Sequence, residues 1–226
     1  AEMKVLAFNA SPRVGGTSDT LIDAALAGAV EAGASVEKIN LSDLALKTCD
    51  NTLIQRDYFV ARQKIADLKL PYCVHSKGLV DEQQKGECSL VDDIAEVYPK
   101  IVAADAVIIG FPVYNGWECS LLASFLERWD RYEACTKPVK NTPTRGMLIG
   151  TWGYLDTESY DHLLENLITK MNFRNIQAVE VIGACGVVGM LSGFDAEGES
   201  VLARFPAEMD KARQAGRTLV TGERGA

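Results

Sequence analysis

Short apolar segments that alternate with helical patterns are the feature that most constrains how this chain can fold. Residues 4–9 and 35–40 predict two buried strands, and apolar residues between them recur at helical spacing from Thr17 to Gly33. A strand, a helix and a second strand in succession imply two parallel strands joined by a right-handed crossover. The first part of the chain therefore predicts an α/β fold.

The rest of the sequence continues this alternation. Further strands are predicted at 106–111, 147–151 and 178–183, and helices at about 90–103, 120–131, 159–171 and 198–219. The strands are continuously apolar, so we predict a doubly wound five-stranded parallel sheet with helices on both faces. We expect a single domain over 1–226, with an insertion at about 48–88 that has its own helical pattern at 58–70. Pro99 should kink or restart its helix, because proline lacks the backbone donor.

The charge and hydropathy of the chain exclude several classes of function. The formal net charge is −8, whereas affinity for nucleic acids depends on clustered Lys and Arg. No apolar run approaches the ~20 residues that cross a bilayer, and no basic leader precedes the first strand. We therefore expect a cytoplasmic protein that binds neither nucleic acid nor a membrane.

The loop after the first strand, residues 9–18, carries hydroxyl groups, glycines and one cation. Ser11, Thr17 and Ser18 are suited to surround a phosphate, together with backbone N–H groups at the start of the helix. Arg13 supplies positive charge. The loop lacks the glycine patterns of dinucleotide and nucleoside-triphosphate sites, which favours a monophosphate. The alternative is a turn that only caps the helix.

This loop resembles the phosphate loop of the NADPH-dependent FMN reductase and iron-sulfur flavoprotein group of the flavodoxin-like superfamily. Residues 105–114 are similar to the second motif of that group, and residues 86–93 to another of its stretches. The resemblance implies a flavodoxin-like fold with strand order 2-1-3-4-5, FMN as cofactor and NAD(P)H as possible electron donor. It also implies a homodimer or homotetramer, because a neighbouring subunit often covers the flavin in this group.

Two further loops are expected beside the first, because ligands of open parallel sheets bind beyond the carboxyl ends of the strands. Their candidate cofactor-binding residues are Pro112, Val113, Tyr114, Asn115, Gly116 and Trp117 in the second loop and Thr151, Trp152 and Gly153 in the third. Backbone N–H groups and aromatic rings suit the flavin ring. Alternatively, the aromatics of the second loop belong to the core, and Trp152 and Tyr154 are surface-packing residues. The flavin carries the chemistry, so no catalytic side chain is expected.

The cysteines leave a second cofactor open. Cys49, Cys73 and Cys88 lie in or beside the insertion, where iron-sulfur flavoproteins carry a compact four-cysteine motif. Three cysteines with another ligand, such as His75, would make an unusual cluster. The alternative is that these cysteines pack in a loop that covers the flavin or builds a subunit contact.

Three functions compete at this point. The first is an FMN-dependent oxidoreductase that passes electrons from NAD(P)H to a small acceptor such as a quinone or flavin. The second is an electron-transfer protein, similar to iron-sulfur flavoproteins, that accepts electrons from a ferredoxin-type partner. The third is a monophosphate-binding or interaction domain without flavin, because a fold alone does not fix the chemistry.

Overall fold

Six strands and five α-helices form the part of the chain that the computed structural model describes, which is residues 2–49, 88, 90–135, 143–186, 196–197 and 201–222. The strands are β1 (Lys4–Asn9), β2 (Ser35–Asn40), β3 (Ala106–Tyr114), β4 (Trp117–Glu118), β5 (Thr144–Thr151) and β6 (Ile176–Ala184). The helices are α1 (Thr17–Glu31), α2 (Ile94–Ala103), α3 (Ser120–Cys135), α4 (Asp161–Asn172) and α5 (Pro206–Thr221). Two short 3₁₀ turns occur at Leu41–Asp43 and Val201–Arg204.

The sheet has the order β2-β1-β3-β5-β6, and all four of these strand pairings are parallel. Once the two-residue strand β4 is set aside, this is the predicted order 2-1-3-4-5, so the flavodoxin-like fold is confirmed. The strand order reverses between β1 and β3. Because parallel strands end at the same edge, the loops after β1, β3 and β5 meet there.

Side chains of the sheet alternate between two helical layers. On one face, Met147, Ile149 and Ile182 belong to the hydrophobic core that also includes residues of α1 and α5. On the other face, Gly146 lies beneath Met171 of α4. Helices therefore cover both faces of the sheet, as the continuously apolar strands predict.

A hairpin that the sequence analysis missed extends β3. Val113 and Tyr114 pair antiparallel with Glu118 and Trp117 of β4. The two residues between them, Asn115 and Gly116, both have positive φ, 52° and 85°, as a type I′ turn requires. The signal was present in the sequence, because Asn-Gly between two strand-forming residues is the strongest short-range indication of a hairpin.

Replacing Gly116 with Ala is expected to lower the free energy of unfolding by about 1 kcal/mol, through backbone strain alone. No atom lies within 4 Å of a Cβ placed at Gly116, so there is no steric clash to add to the cost of its positive φ. Chemical denaturation followed by circular dichroism measures the change. Gly116→Asn is the control and should recover most of the loss, since Asn tolerates this conformation. An alanine variant as stable as the wild type would contradict the prediction.

Helix boundaries differ from the predicted ones where proline intervenes. α2 contains Pro99 and continues to Ala103 as one helix, so Pro99 does not restart it. Pro99 is the sixth of the ten residues of α2, and the one bond that it cannot make would have gone to the carbonyl of Ala95, in the first turn. In place of the helix predicted at 198–219, the described residues from 201 onward form a 3₁₀ turn followed by α5, which begins at Pro206, a position that proline favours.

The described residues group into two compact units. One comprises those within 1–44, 103–123 and 141–226, and it contains the whole sheet; the other comprises those within 45–102 and 124–140. The predicted helix at 58–70 and most of the insertion at 48–88 lie outside the described residues. The single domain over 1–226 stays a prediction. None of the helices in the described part of the chain is long and apolar enough to span a membrane.

Candidate functional site

A cavity of about 210 Å³ lies where the loops after β1, β3 and β5 meet. It is lined by Ser11, Arg13, Gly16, Thr17, Ser18, Pro112, Val113, Tyr114, Thr151, Trp152 and Gly153. All of the predicted cofactor-binding residues line it except Asn115, Gly116 and Trp117, which belong to the β3–β4 hairpin. Gly16 was not predicted. The fold thus brings residues from three distant parts of the sequence around one cavity.

The first loop is held in shape by its own hydrogen bonds. The Ser11 hydroxyl is 3.2 Å from both the backbone N–H and the carbonyl of Arg13. The amide of Asn9, a buried residue, accepts the backbone N–H of Ser11 at 3.1 Å and donates to Asn40 at the end of β2. Asn9 was not predicted as a site residue. An Asn that ends a strand two residues before a Ser-Pro turn is nevertheless a known local signal for such a bond.

A buried carboxylate lies under the same loop. Asp19 is only 2% exposed, and its side chain accepts the backbone N–H of Gly15 at 2.7 Å. It also accepts the ammonium of Lys38, from β2, at 2.8 Å, and Lys38 reaches Asp23 at 2.6 Å. Partial burial disfavours the charged form of Lys38, but the hydrogen bonds to Asp19 and Asp23 outweigh it, so the pKa of Lys38 is raised. Asp19 was not predicted as a site residue.

One hydrogen bond connects the first loop to the third. The hydroxyls of Ser18 and Thr151 are 2.8 Å apart, and both residues are buried. Both also line the cavity. The cavity lining therefore includes two buried hydroxyl groups, whose positions are fixed by the start of α1 and the end of β5.

Exposed aromatic side chains mark the second loop. Tyr114 is 40% exposed and lines the cavity, and Trp117 is 68% exposed, opposite Tyr114 across the hairpin. Neither belongs to the core. Glu118 of the hairpin forms a 2.6 Å ion pair with Lys170 of α4, which ties β4 to the helical layer. The loop thus places the exposed ring of Tyr114 beside the cavity, on a hairpin that is held to α4 by an ion pair.

Trp152 in the third loop is a packing residue as well as a lining residue. It is 2% exposed, and its indole N–H donates to the carbonyl of Asp156 at 3.1 Å. Its ring lies over Gly183 of β6, where an added Cβ would come within 2.5 Å of the indole. Tyr154, by contrast, is 65% exposed. Of the two aromatics for which surface packing was the alternative, Trp152 is buried in the fold and Tyr154 is not.

Comparison with known proteins decides the family. Residues 3–184 match the family described as NADPH-dependent FMN reductase. The chain belongs to this family. An iron-sulfur flavoprotein of Methanocaldococcus jannaschii is 28% identical over 126 residues, which is 56% of this chain and 51% of the relative. The chain spans about half the length of the curated relatives it matches.

Solved structures of low sequence identity share the fold. An NAD(P)H:quinone oxidoreductase from Methanothermobacter marburgensis has a TM-score of 0.57 at 18% identity, covering 97% of this chain and 96% of the other. An FMN-dependent NADH-azoreductase from Bacillus anthracis, in complex with FMN, has a TM-score of 0.57 at 16% identity, covering 96% of this chain and 100% of the other. The resemblance stated from the motifs is confirmed. The family agrees with the prediction of an FMN-containing oxidoreductase.

Of the three cysteines predicted as possible cluster ligands, Cys49 and Cys88 lie within the described residues. Cys73 and His75 lie outside the described residues. Cys88 accepts a hydrogen bond from the guanidinium of Arg128 at 3.6 Å, and Cys49 lines a small cavity of about 60 Å³ together with Arg128. Among the residues described, no group of three or more His, Cys, Asp or Glu side chains is placed to hold a metal ion. The iron-sulfur ligands stay a prediction.

Arg128 itself forms a buried ion pair. Its guanidinium donates to both carboxylate oxygens of Asp92, at 2.7 and 2.9 Å, and to the carbonyl of Leu90 at 3.2 Å. The side chains of Arg128 and Asp92 are 2% and 0% exposed. Asp92 also accepts the backbone N–H of Lys47 at 3.0 Å. This pair, which sequence analysis did not predict, organises the segments that carry Cys49 and Cys88.

Proposed function

We propose that the chain binds FMN non-covalently in the cavity at the ends of β1, β3 and β5, and that it passes electrons from NAD(P)H to a small acceptor such as a quinone or flavin. One observation carries the proposal: in a member of the FMN reductase family, three loops converge on a cavity that is lined by hydroxyl groups, an arginine and an exposed aromatic ring. FMN joins a phosphate to a planar ring. The two kinds of surface correspond to these two parts.

The first loop fits the phosphate. The start of α1 contributes Thr17 and Ser18 to the cavity lining, and a helix N-terminus with hydroxyl groups favours an anion. Arg13 is exposed at the rim of the loop and adds a cation. The loop is already shaped by the bonds of Ser11 and Asn9, so binding would require little ordering.

The second and third loops fit the ring. The backbone at Pro112 and Val113 and at Gly153 lines the cavity, and Tyr114 stands beside it with much of its ring exposed. Bound FMN supplies the transfer of hydride and electrons. The protein would bind the cofactor, orient its ring toward the open side and shield it in part. No side-chain nucleophile is needed for this role.

Several finer statements belong to this proposal. The quinone oxidoreductase and azoreductase among the similar structures favour a small-molecule acceptor. We also propose a homodimer or homotetramer, as the family resemblance implies, and a cytoplasmic location. Tyr114, Trp117 and Tyr154 each expose much of an aromatic ring, and exposed aromatic rings suit an aromatic acceptor.

Replacing Arg13 with Ala is expected to weaken FMN binding about tenfold, because the phosphate loses a charged partner. Riboflavin lacks the phosphate, so its affinity should not change. Flavin fluorescence, titrated with apoprotein at low salt, measures both dissociation constants. Arg217→Ala on α5 is the matched control and should bind FMN as the wild type does. An unchanged FMN affinity in Arg13→Ala would show that the phosphate lies elsewhere.

Anaerobic reduction tests the activity. The purified protein, loaded with FMN, is mixed with NADPH and, in a separate cuvette, with NADH, and the visible flavin absorbance is followed. We expect at least one nucleotide to bleach the flavin, and subsequent addition of a quinone to restore the absorbance. If neither nucleotide bleaches the flavin, the reductase function is wrong. If the protein is colourless and does not take up FMN, the chain is a binding domain without flavin.

A second candidate function is electron transfer from a ferredoxin-type partner through an iron-sulfur cluster. The observation that favours it is that Cys49 and Cys88 both lie beside Arg128, although they are far apart in sequence. Iron and acid-labile sulfide in anaerobically prepared protein would support this function. Their absence, together with a visible spectrum of flavin bands only, would exclude its cluster-dependent form.

A further inference from the structure

The buried carboxylate of Asp19 stands close to a site that we propose for an anion. Asp19 follows Ser18, which lines the cavity, and its side chain is 3% exposed. An unbalanced carboxylate at this position would repel a phosphate, and poor solvation would strengthen the repulsion. A phosphate-binding loop therefore needs either no acidic residue here or one whose charge is cancelled.

The contacts of Asp19 divide between the loop and a cation. One carboxylate oxygen, Oδ2, accepts the N–H of Gly15 at 2.7 Å. Gly15 has a φ of +79° and precedes Gly16, which lines the cavity. The other oxygen, Oδ1, accepts the ammonium of Lys38 at 2.8 Å. Asp19 thus holds the backbone of the turn with one oxygen, and its other oxygen pairs with Lys38. Lys38 also pairs with Asp23 at 2.6 Å, but the side chain of Asp23 is 57% exposed and is solvated by water, whereas Asp19 is buried and depends on Lys38 for compensation.

We propose that Asp19 and Lys38 are a positioning pair that makes the turn selective for phosphorylated flavin over unphosphorylated flavin. The inference rests on the proposed function, since it takes FMN as the ligand of this cavity. In the pair, Asp19 fixes the backbone of Gly15, and Lys38 removes the electrostatic penalty that the carboxylate would impose on the phosphate. Lys38 does this through its contact with Asp19, and it does not line the cavity itself.

A purely structural role for the pair makes a different prediction. The pair also connects α1 to β2, and on a purely structural view its loss only loosens that connection. A looser fold would weaken binding of FMN and riboflavin alike. An electrostatic role instead acts on the phosphate alone, because riboflavin carries no charge there.

Dissociation constants of FMN and riboflavin, measured with apoprotein of the full chain, separate the two roles. Lys38→Met is expected to weaken FMN binding about tenfold by exposing the phosphate to the uncompensated carboxylate, and to leave riboflavin binding unchanged. Lys38→Arg keeps the charge and should retain FMN affinity. The double variant Asp19→Asn with Lys38→Met removes both charges and should recover most of the lost affinity. Lys211→Met, an exposed lysine on α5, is the control for loss of a charge elsewhere.

The outcomes separate this inference from the proposed function. A loss confined to FMN in Lys38→Met, with recovery in the double variant, supports the positioning pair. An equal loss of FMN and riboflavin affinity, or a double variant weaker than Lys38→Met, overturns it while the flavin site stands. A wild-type chain that binds neither flavin overturns the proposed function and this inference together.

Discussion

Replacing Arg128 with Met is expected to lower the free energy of unfolding by about 4 kcal/mol, because it leaves the carboxylate of Asp92 buried without its cation. The side chain of Asp92 is fully buried, and both of its oxygens accept from Arg128. The backbone N–H of Lys47 would be its remaining partner among these contacts. Removing one member of a buried pair costs far more than the pair contributes, since the other charge stays desolvated.

Urea unfolding, followed by circular dichroism, measures this loss. Arg131→Met, on the same helix but half-buried, is the matched control and should change stability by less than about 1 kcal/mol. The double variant Arg128→Met with Asp92→Leu removes both charges and should be more stable than Arg128→Met alone. If the single variant is as stable as the control, Asp92 is not desolvated in solution as it is in the structure.

The sequence was most informative where one physical signal acts alone. β1 and β2 have the predicted bounds. Turn-forming residues lie close to both strands, with Ser11-Pro12 after β1 and Gly33 before β2. β5 begins at Thr144, three residues before its predicted start. Thr144, Arg145 and Gly146 are not an apolar run, but the strand continues through them because β3 pairs with Arg145 and Gly146, and β6 pairs with all three residues. Such an extension depends on a neighbour that no local pattern reveals.

The candidate site likewise has features that the sequence predicts and features that it does not. Its three loops were predictable because each follows a buried strand, and the topology of a parallel sheet places such loops together. The ion pairs were not predictable. Lys38 meets Asp19 from 19 positions away, and Arg128 meets Asp92 from 36. Charged residues at such separations look like ordinary surface residues in a sequence, and only the packing of a strand against a helix, or of one segment against another, removes them from water.

Trp117 illustrates a different case, in which the local signal did not reveal the structural context. Its aromatic character and its place after β3 suggested a ring-contacting loop. The preceding Asn115-Gly116 turn reverses the chain, so Trp117 lies opposite Tyr114 and outside the cavity lining. Two residues of turn chemistry decide where the aromatic ring goes.

Replacing Gly28 with Ala is expected to lower the free energy of unfolding by about 3 kcal/mol, at the upper end of the usual cost of overpacking. α1 and α5 cross with their backbones in close approach. A Cβ at Gly28 would lie 1.9 Å from the carbonyl oxygen of Arg213, and a Cβ at Gly216 would lie 1.9 Å from that of Ala25. Backbone atoms cannot turn aside as a side chain can, so the helices must separate. The better helix propensity of Ala, about 1 kcal/mol, offsets only part of this cost.

Thermal and chemical unfolding of Gly28→Ala, Gly216→Ala and the double variant measure how much stability depends on the close approach of α1 and α5. Val30→Ala, at an exposed position of α1, is the control and should change stability little. The double variant should lose less stability than the sum of the two single losses, because helices already separated by one methyl group accommodate the second more easily.

α1 also carries Thr17 and Ser18 at the cavity, so a shift of α1 would weaken FMN binding, whereas a shift of α5 would not. Additive losses would mean that the two glycines do not share one crossing, and unchanged stability would mean that the backbones do not approach this closely.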